Sequence, residues 1–296
     1  MTGTTRPEKL TEGGPAFTTR FAPSPTGRLH RGHAFSALSA WTAAQQAGGR
    51  FLLRIEDIDE GRCRPEFEAG IYEDLAWLGL DWESPVRRQS ERLADYRATL
   101  ERLEGMGVLY RCFRTRKEVL DEIGRAPHGP GEALRPGPLP PADEAARLAE
   151  GRPFAWRLSI DRARARLGPA FEALSFAEAG AGPAGERGEI AARPELCGDV
   201  VLARKDVGVA YHLAVVHDDA LQGVTHIVRG QDLFEATHVQ RLLQALLGLP
   251  APAYRHHGLL LGPDGKRLAK RDRAETLESL RARGVTPEAL RAELGF

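Results

Sequence analysis

The sequence predicts an α/β fold organised around one strand–helix–strand unit, and three observations support this prediction. Residues 17–22 have the length and composition of a strand. Residues 29–47 carry apolar side chains at helical spacing, and a Gly-Gly pair ends that pattern. Residues 51–55 form a second apolar run of strand length. Two strands joined through a helix in this order are typical of a parallel βαβ unit.

A binding site is expected where the two strands of this unit end. Ligands of βαβ units bind beyond the carboxyl ends of the strands. Prolines and a glycine turn the chain after the first strand, and acidic residues follow the second. The residues that meet at this edge are Arg20, Phe21, Ala22, Pro23, Ser24, His30, Gly32, His33, Glu56, Asp57 and Asp59.

The start of the predicted helix is suited to phosphate. A helix N-terminus carries unpaired N–H groups and a positive partial charge. His30 and His33 are three residues apart, so they share one face and both can donate to phosphate oxygens. Gly32 has no side chain, which allows a base or ribose to approach the backbone. The alternative is that the two histidines are ordinary polar residues at a solvated helix start.

The remaining elements follow from hydrophobic periodicity and from turn residues. We predict helices at residues 65–78, 90–106, 235–247, 275–283 and 287–294, and a short helix after residues 216–219. Strands are predicted from residue 108 onwards and at 154–160, 224–228 and 258–261. Residues 199–203 and 210–216 are predicted to form a hairpin around a turn at 205–208. Loops are predicted at 128–142 and 179–194.

Composition limits the class of protein. The chain has 296 residues, 42% hydrophobic content, 28% charged content and no net charge, which is typical of a globular protein with two domains. Its three cysteines are far apart, so we expect free thiols and a cytoplasmic location. No apolar run is long enough to cross a membrane. Residues 1–16 are polar and predict a disordered tail.

Two segments resemble the signature motifs of class I aminoacyl-tRNA synthetases. The first is RFAPSPTGRLHRGH, in which residues 30–33 stand in the place of the HIGH motif, and LLRIEDID follows it. These strings resemble the glutamyl/glutaminyl group in particular. The second is KRLAKRD at residues 266–272, which resembles the KMSKS loop with Lys270 as its second lysine. Ala269 stands where the family usually has serine.

The resemblance implies amino-acid activation by ATP with Mg²⁺, and it implies a set of site residues. His30, His33 and Lys270 would be catalytic, and these three residues with Gly32 would bind ATP. The residues expected to bind L-glutamate are Arg20, Phe21, Ala22, Pro23, Ser24, Glu56, Tyr211 and Arg229. Two guanidinium groups suit two carboxylates, Glu56 suits the ammonium group, and Tyr211 can donate through its hydroxyl. An arginine at 229 favours glutamate, because glutamine would leave the guanidinium unpaired.

The resemblance also implies an architecture and a partner. The expected fold is a Rossmann-like class I catalytic domain with an inserted α/β subdomain and no anticodon-binding domain. The expected divisions are 1–16 (tail), 17–110 and 199–255 (catalytic halves), 111–198 (insertion) and 256–296 (KMSKS-like loop and terminal helices). A catalytic region that stops here resembles the shortened members of the group, which transfer glutamate to queuosine at the wobble position of tRNA(Asp). We expect a monomer.

Some family members hold a zinc ion with cysteines of the insertion. Here Cys112 stands alone, with Arg114 where a second cysteine would fall, so we expect no structural zinc. Three other functions stay open on the sequence: a minimal enzyme that charges a tRNA 3′ end, a non-catalytic RNA-binding relative, and a small-molecule nucleotidyltransferase. The retained His30, His33 and Lys270 argue against the second, and the glutamyl-type strings argue against the third.

Overall fold

The computed structural model describes residues 16–115, 118, 135–204, 208–260 and 275–296. Ten strands are described: β1 (Thr18–Phe21), β2 (Arg50–Ile55), β3 (Glu83–Arg88), β4 (Leu109–Cys112), β5 (Ala155–Leu158), β6 (Ser175–Glu178), β7 (Gly188–Ala191), β8 (Val201–Arg204), β9 (His226–Gly230) and β10 (Ala253–His257). The helices described are α1 (Arg31–Ala47), α2 (Pro65–Trp77), α3 (Leu93–Gly105), α4 (Pro141–Ala149), α5 (Ile160–Leu167), α6 (Pro169–Glu172), α7 (Tyr211–Leu221), α8 (Phe234–Leu247), α9 (Leu277–Ala282) and α10 (Pro287–Glu293).

Two parallel strand groups lie side by side and form the Rossmann-like layer. Strands β1, β2 and β3 pair in parallel, and β9, β10 and β6 pair in parallel with β7 antiparallel at the edge. The groups meet where the Thr18 amide donates to Thr225 Oγ1 at 2.9 Å and the Thr225 amide donates to the Thr18 carbonyl at 2.9 Å. The strand order across the layer is therefore β3-β2-β1-β9-β10-β6. The early strands follow β1 on one side and the later strands on the other, so the order reverses at β1 as in doubly wound folds.

Local sequence explains the first βαβ unit. Alanine and leucine side chains of α1 are fully buried against the strands, and Gly48 ends the helix in a left-handed conformation, with φ of 59°. Residues 51–55 of β2 are buried on both faces, as expected of an inner parallel strand. The predicted strand–helix–strand order is confirmed.

A second, smaller sheet forms from the middle of the chain. Strands β4, β5 and β8 pair antiparallel, and α3, α5, α7 and α8 contribute side chains to the core beside them. The expected division of the chain, with an inserted subdomain at residues 111–198, stays a prediction. The strands within that range belong to two sheets, because β5 joins the second sheet whereas β6 and β7 join the main layer.

Several of the expected secondary-structure assignments are wrong. Residues 258–260 are not part of a strand, because β10 ends before them at His257, and residues 141–142 of the predicted loop begin α4. Residues 210–216 do not form the second strand of a hairpin, because Tyr211 begins α7. The apolar run Leu213–Val216 looks like a strand because every one of its side chains is buried, and a helix that is enclosed on all sides loses its amphipathic period. The predicted loop at 179–194 contains β7, an edge strand that is largely exposed and has no apolar alternation.

Several sequence expectations lie outside the described residues. These are the tail up to residue 15, residues 128–134 of the loop at 128–142, the turn at 205–207 and the segment 261–274 with Ala269 and Lys270. Across the described ranges, no helix is both long enough and apolar enough to span a membrane.

A buried carboxylate connects α2 to the C-terminal helices. Asp74 is 1% exposed, and neither of its carboxylate oxygens has a hydrogen-bond partner among the described residues. Arg281 Nη2 of α9 lies 3.4 Å from its Oδ1 atom. Burial raises the pKa of Asp74 to about 6, although Arg281 opposes this effect.

We expect the free energy of unfolding to fall by about 1 kcal/mol between pH 5 and pH 7 because of Asp74. The unfolded chain ionises this carboxyl near pH 4 and the folded chain only near pH 6, so the folded state binds the extra proton and loses stability as the pH rises. Urea unfolding of Asp74→Asn should lack this decrease. Glu73→Gln is the control, because Glu73 contacts the same Arg281 from an exposed position; an equal effect in both variants would contradict the assignment.

Candidate active site

The candidate site lies at the edge where the order of the main sheet reverses. Strand β1 has β2 on one side and β9 on the other, so the carboxyl ends of all three open towards the same crevice. The turn after β1 is tied to the end of β2, because the Glu56 amide donates to the Pro23 carbonyl at 3.0 Å. Arg20, Glu56 and Arg229 lie on these three strands or just beyond them.

His30 and His33 form a pair of tilted, contacting rings that caps α1, with an angle of 41° between the ring planes. Their ring centroids are 3.9 Å apart. His30 Nδ1 accepts from the Gly32 amide at 3.1 Å, and His33 Nδ1 accepts from the His30 amide at 3.2 Å. A neutral imidazole with an accepting Nδ1 carries its proton on Nε2. The capping bonds therefore make Nε2 the donor atom of both rings.

Gly32 leaves room for the His30 ring in this arrangement. A Cβ atom at residue 32 would lie 3.0 Å from His30 Cε1, closer than side-chain packing normally allows. The start of α1 also receives the chain that follows the KMSKS-like segment: Thr276 pairs with His30, and the Leu277 amide donates to the Leu29 carbonyl at 2.9 Å. Lys270 itself lies outside the described residues.

Arg20 is held from behind by a carboxylate of α7. Its Nε and Nη2 atoms donate to the two oxygens of Asp219 at 2.9 and 3.3 Å, and Arg20 is 5% exposed. Its Nη1 atom has no hydrogen bond among the described residues. Burial raises the pKa of Asp219, but Arg20 and Arg54 reverse that effect and the pKa ends below its usual value. Asp219 is therefore an ionised anchor for the guanidinium group.

Arg54 connects this anchor to Glu56. It is 0% exposed, donates from Nη1 to Asp219 at 2.8 Å and to Gln222 at 3.0 Å, and donates from Nη2 to Glu56 at 3.2 Å. Burial alone would lower the pKa of Arg54, but the charges of Asp219, Glu56 and Asp218 raise it overall. Arg54 thus stays charged although it has no contact with solvent.

Asp218 extends the same network in the opposite direction. It accepts from Arg87 Nε at 2.7 Å, from Tyr96 OH at 2.8 Å and from Gln89 Nε2 at 2.9 Å. Three cations (Arg20, Arg54 and Arg87) face three buried anions (Glu56, Asp218 and Asp219) in the network, and a fourth, partly exposed carboxylate, Asp95, lies 3.4 Å from Arg87. Their balance matters because isolated buried charges are strongly unfavourable.

Tyr211 lies among the charged groups of the site. Burial raises its pKa, and the charges of Arg229, Glu56 and Arg20 act on the same hydroxyl. Burial also raises the pKa of Glu56, while Arg54 and Arg20 oppose this effect. Four residues predicted from separate parts of the sequence are therefore brought into one site, with Tyr211 at the start of a helix instead of on a hairpin.

Only some of the N–H groups of Arg229 have hydrogen-bond partners. Its Nε donates to His256 Nε2 at 3.1 Å, and its Nη2 donates to Thr237 Oγ1 at 2.7 Å and to the Leu233 carbonyl at 3.1 Å. Its Nη1 atom is buried and has no partner among the described residues. Three of the five N–H groups are satisfied and two are not. A buried unpaired N–H group costs about 1–3 kcal/mol, so Nη1 marks a place for an acceptor.

Four of the other predicted residues, 21–24, lie at the end of β1 and on the turn that follows it. Phe21 and Pro23 are buried, Ala22 is half-buried and Ser24 is exposed. Asp57 turns away from the pocket residues, since it accepts from the amide and hydroxyl of Ser90. Sequence reasoning missed Arg54, Asp218, Asp219 and the partners of Arg229. An arginine within the apolar strand FLLRI and an Asp-Asp pair within an apolar helix were the available signals, since buried charges are normally paired.

The cysteines lie apart in the structure as they do in the sequence. Cys63, Cys112 and Cys197 are free thiols, and Cys112 is buried. Among the residues that the structure describes, no group of three or more His, Cys, Asp or Glu side chains is arranged to hold a metal ion. The absence of structural zinc stays a prediction.

Comparison with protein families gives one match that spans most of the chain. Residues 16–138 and 185–295 match the family described as the catalytic domain of class I tRNA synthetases (E and Q). The matched ranges include every candidate site residue named above, Lys270 among them.

Comparison with individual proteins indicates the same family. The chain is 49% identical to a glutamyl-Q tRNA(Asp) synthetase of Rhodobacter capsulatus, over 94% of this chain and 99% of that protein. It is 44% identical to a glutamyl-Q tRNA(Asp) synthetase of Symbiobacterium thermophilum, over 94% and 85%. A crystal structure of the glutamate-tRNA synthetase of Elizabethkingia anophelis superposes with a TM-score of 0.70 at 29% identity, over 87% of this chain and 53% of that one. The chain thus spans about half the length of that synthetase.

Replacing Arg54 with methionine should destabilise the fold by about 3–5 kcal/mol, because Asp219, Glu56 and Asp218 would lose a shared cation in a buried position. Chemical denaturation measures this change. Arg50→Met is the matched control on the same strand, since Arg50 pairs with Glu83 at the surface and its loss should cost at most about 1 kcal/mol. Similar losses in the two variants would refute the role assigned to the buried network.

Proposed function

Because this chain belongs to the family of class I tRNA synthetases for glutamate and glutamine, we propose that it activates L-glutamate with ATP, without tRNA, and transfers the glutamyl group to queuosine in tRNA(Asp). Relatives named for that activity are similar to it over nearly their whole length. The observation that carries the proposal is the buried, unpartnered Nη1 atom of Arg229 within a site that also holds Arg20, Glu56 and Tyr211.

The amino-acid site fits a substrate with two carboxylates and one ammonium group. Arg229 offers two unpaired N–H groups to the side-chain carboxylate, and Arg20 offers Nη1 to the other carboxylate. Glu56 accepts from the ammonium group, and Tyr211 donates its hydroxyl hydrogen. Glutamine would place an uncharged amide against Arg229, which leaves the cation without a counter-charge. Because Nη1 of Arg229 is out of contact with solvent, a ligand reaches it only after neighbouring side chains move.

The first step is an in-line displacement on ATP, which class I synthetases use as its magnesium complex. A carboxylate oxygen of glutamate attacks the α-phosphorus, the bond to the β-phosphate oxygen breaks, and pyrophosphate leaves. Such a reaction depends on positioning and on neutralising phosphate charge. The capping bonds described above orient the Nε2 donors of His30 and His33, and the start of α1 adds the positive end of the helix dipole. Lys270 would supply a positive charge.

The second step transfers the acyl group. A hydroxyl of queuosine attacks the carbonyl carbon of glutamyl-adenylate, the hydroxyl proton is released as the ester bond forms, and AMP leaves with the electrons of the broken anhydride bond. We propose that the protein works as a monomer in the cytoplasm, where its three thiols stay reduced, and that it needs no structural zinc.

ATP–pyrophosphate exchange in the absence of tRNA tests the proposal directly. We expect exchange with glutamate and none above background with glutamine. Glutamate transfer should then require tRNA(Asp) that carries queuosine, and unmodified tRNA(Asp) is the control. Exchange that appears only when tRNA is added would instead favour charging of a tRNA 3′ end. Absence of exchange under both conditions would reject an activating enzyme.

Lys270→Ala should reduce the rate of adenylate formation by about 10²–10³-fold, because a cation that neutralises the phosphates in the transition state is lost. Thermal unfolding should be unchanged, since the substitution concerns phosphate binding only. Lys266→Ala is the control: it removes the neighbouring lysine, which lies outside the pentad at 267–271. Exchange rates of Lys270→Ala that equal those of wild type would reject its phosphate role.

A further inference from the structure

A second line of buried residues lies behind Arg229, on the side away from the Asp219 network. His256 of β10 accepts from Arg229 Nε through its own Nε2 at 3.1 Å. Its Nδ1 lies 2.5 Å from Glu178 Oε2 of β6. The side chains of Glu178 and His256 are both 0% exposed. These three residues therefore form a chain of hydrogen bonds from one strand of the sheet to the next.

The geometry decides which nitrogen of His256 carries the proton. Nε2 faces the Nε–H group of Arg229, which can only donate, so Nε2 must accept. Nδ1 must then be the protonated atom, and it donates to Glu178. Burial and the charge of Arg229 lower the pKa of His256 to about 4, which keeps the ring neutral at physiological pH.

Glu178 is itself fixed by the backbone. Its Oε1 atom accepts from the Gly180 amide at 2.7 Å and from the His256 amide at 2.9 Å. A Cβ atom at residue 180 would collide with the His256 carbonyl oxygen, so this close approach of the two segments requires glycine. The carboxylate therefore has one orientation, with Oε2 directed at the imidazole.

We propose that Glu178 and His256 are positioning residues, which hold Arg229 so that its Nη1 atom faces the side-chain carboxylate of glutamate and so establish the preference for glutamate over glutamine. This inference rests on the proposed function. Glu178 fixes the tautomer of His256, His256 holds Nε, and Thr237 with the Leu233 carbonyl holds Nη2. Only Nη1 is then left for the substrate. His256 and Arg229 lie between Glu178 and the substrate. The negative charge of Glu178 therefore orders the guanidinium group without competing with the substrate carboxylate for Nη1.

The variant Glu178→Gln separates the positioning role of Glu178 from its packing, because it only replaces one carboxylate oxygen with an NH₂ group. The two backbone amides require an oxygen at the Oε1 position, so the new NH₂ group must point towards Nδ1 of His256. Nδ1 must then accept, and the ring proton moves to Nε2. That N–H group would face the Arg229 Nε–H group, and the two donors repel each other. Arg229 loses its alignment although the packing is almost unchanged.

We expect Glu178→Gln to raise KM for glutamate about 10–100-fold in ATP–pyrophosphate exchange, as outer partners of binding groups typically do. The ratio of kcat/KM for glutamate to that for glutamine should fall by a similar factor, while KM for ATP stays constant. His256→Leu should have the same effect, and His256→Gln should restore part of the affinity, because its side-chain oxygen can accept from Arg229 Nε. Tyr254→Phe is the matched control: it removes the buried hydrogen bond with Gln244 in the same layer but keeps the ring under Arg229.

Nitrogen NMR of protein with ¹⁵N-labelled histidine gives a readout that does not depend on activity. The wild-type spectrum should show His256 protonated at Nδ1, and Glu178→Gln should show it protonated at Nε2. A wild-type ring protonated at Nε2 would overturn the inference, and so would wild-type KM and amino-acid preference in a variant with the exchanged tautomer. Failure of the proposed function would appear separately, as wild-type protein that performs no glutamate-dependent exchange while its tautomer is as expected.

Discussion

The contact between Arg54 and the acidic pair Asp218-Asp219 is the constraint on which the rest of the structure depends. Arg54 lies on β2, and the two aspartates lie on α7, 164 and 165 residues further along the chain. None of the three groups has significant contact with water, so each is stable only in the presence of the others. The contact therefore fixes α7 against β2 in one position, after the chain has passed through the smaller sheet and its helices.

The same contacts also position the residues of the proposed amino-acid pocket. Asp219 holds Arg20 on β1, Arg54 holds Glu56 at the end of β2, and α7 places Tyr211 at its first turn. The guanidinium of Arg20, the carboxylate of Glu56 and the hydroxyl of Tyr211 therefore lie at one crevice, although they come from three elements. Hydrophobic packing alone would leave these long side chains many rotamers, whereas the buried ion pairs select one geometry.

Arg229 is supported from the other side of the crevice by a separate set of contacts. Its hydrogen-bond partners are His256 on β10, Thr237 on α8 and the Leu233 carbonyl just before α8, and its guanidinium lies 5.3 Å from the centre of the Tyr254 ring. The two guanidinium groups of the pocket thus have different surroundings: Arg20 is paired with a carboxylate directly, and Arg229 reaches its carboxylate only through an imidazole. Because Arg229 lacks a direct counter-charge, it attracts an anionic ligand group more strongly than Arg20 does.

The sequence by itself determined the first βαβ unit, the histidine pair at the start of α1 and the short motifs that resemble the synthetase family; that resemblance in turn predicted Arg20, Glu56, Tyr211 and Arg229 as residues of one pocket. Those features depend on local order in the chain, such as apolar period, turn residues and short motifs. Only the tertiary structure decided that Tyr211 begins a helix, that residues 188–191 form an edge strand, and that Glu178 meets His256. A helix buried on all sides has no amphipathic period, and a strand at an exposed edge has no apolar alternation. The local sequence does not reveal which residues meet in the hydrogen bond between Glu178 and His256, 78 positions apart, or in the ion pair between Arg54 and Asp219, 165 positions apart. The fold alone brings these partners together and removes them from water.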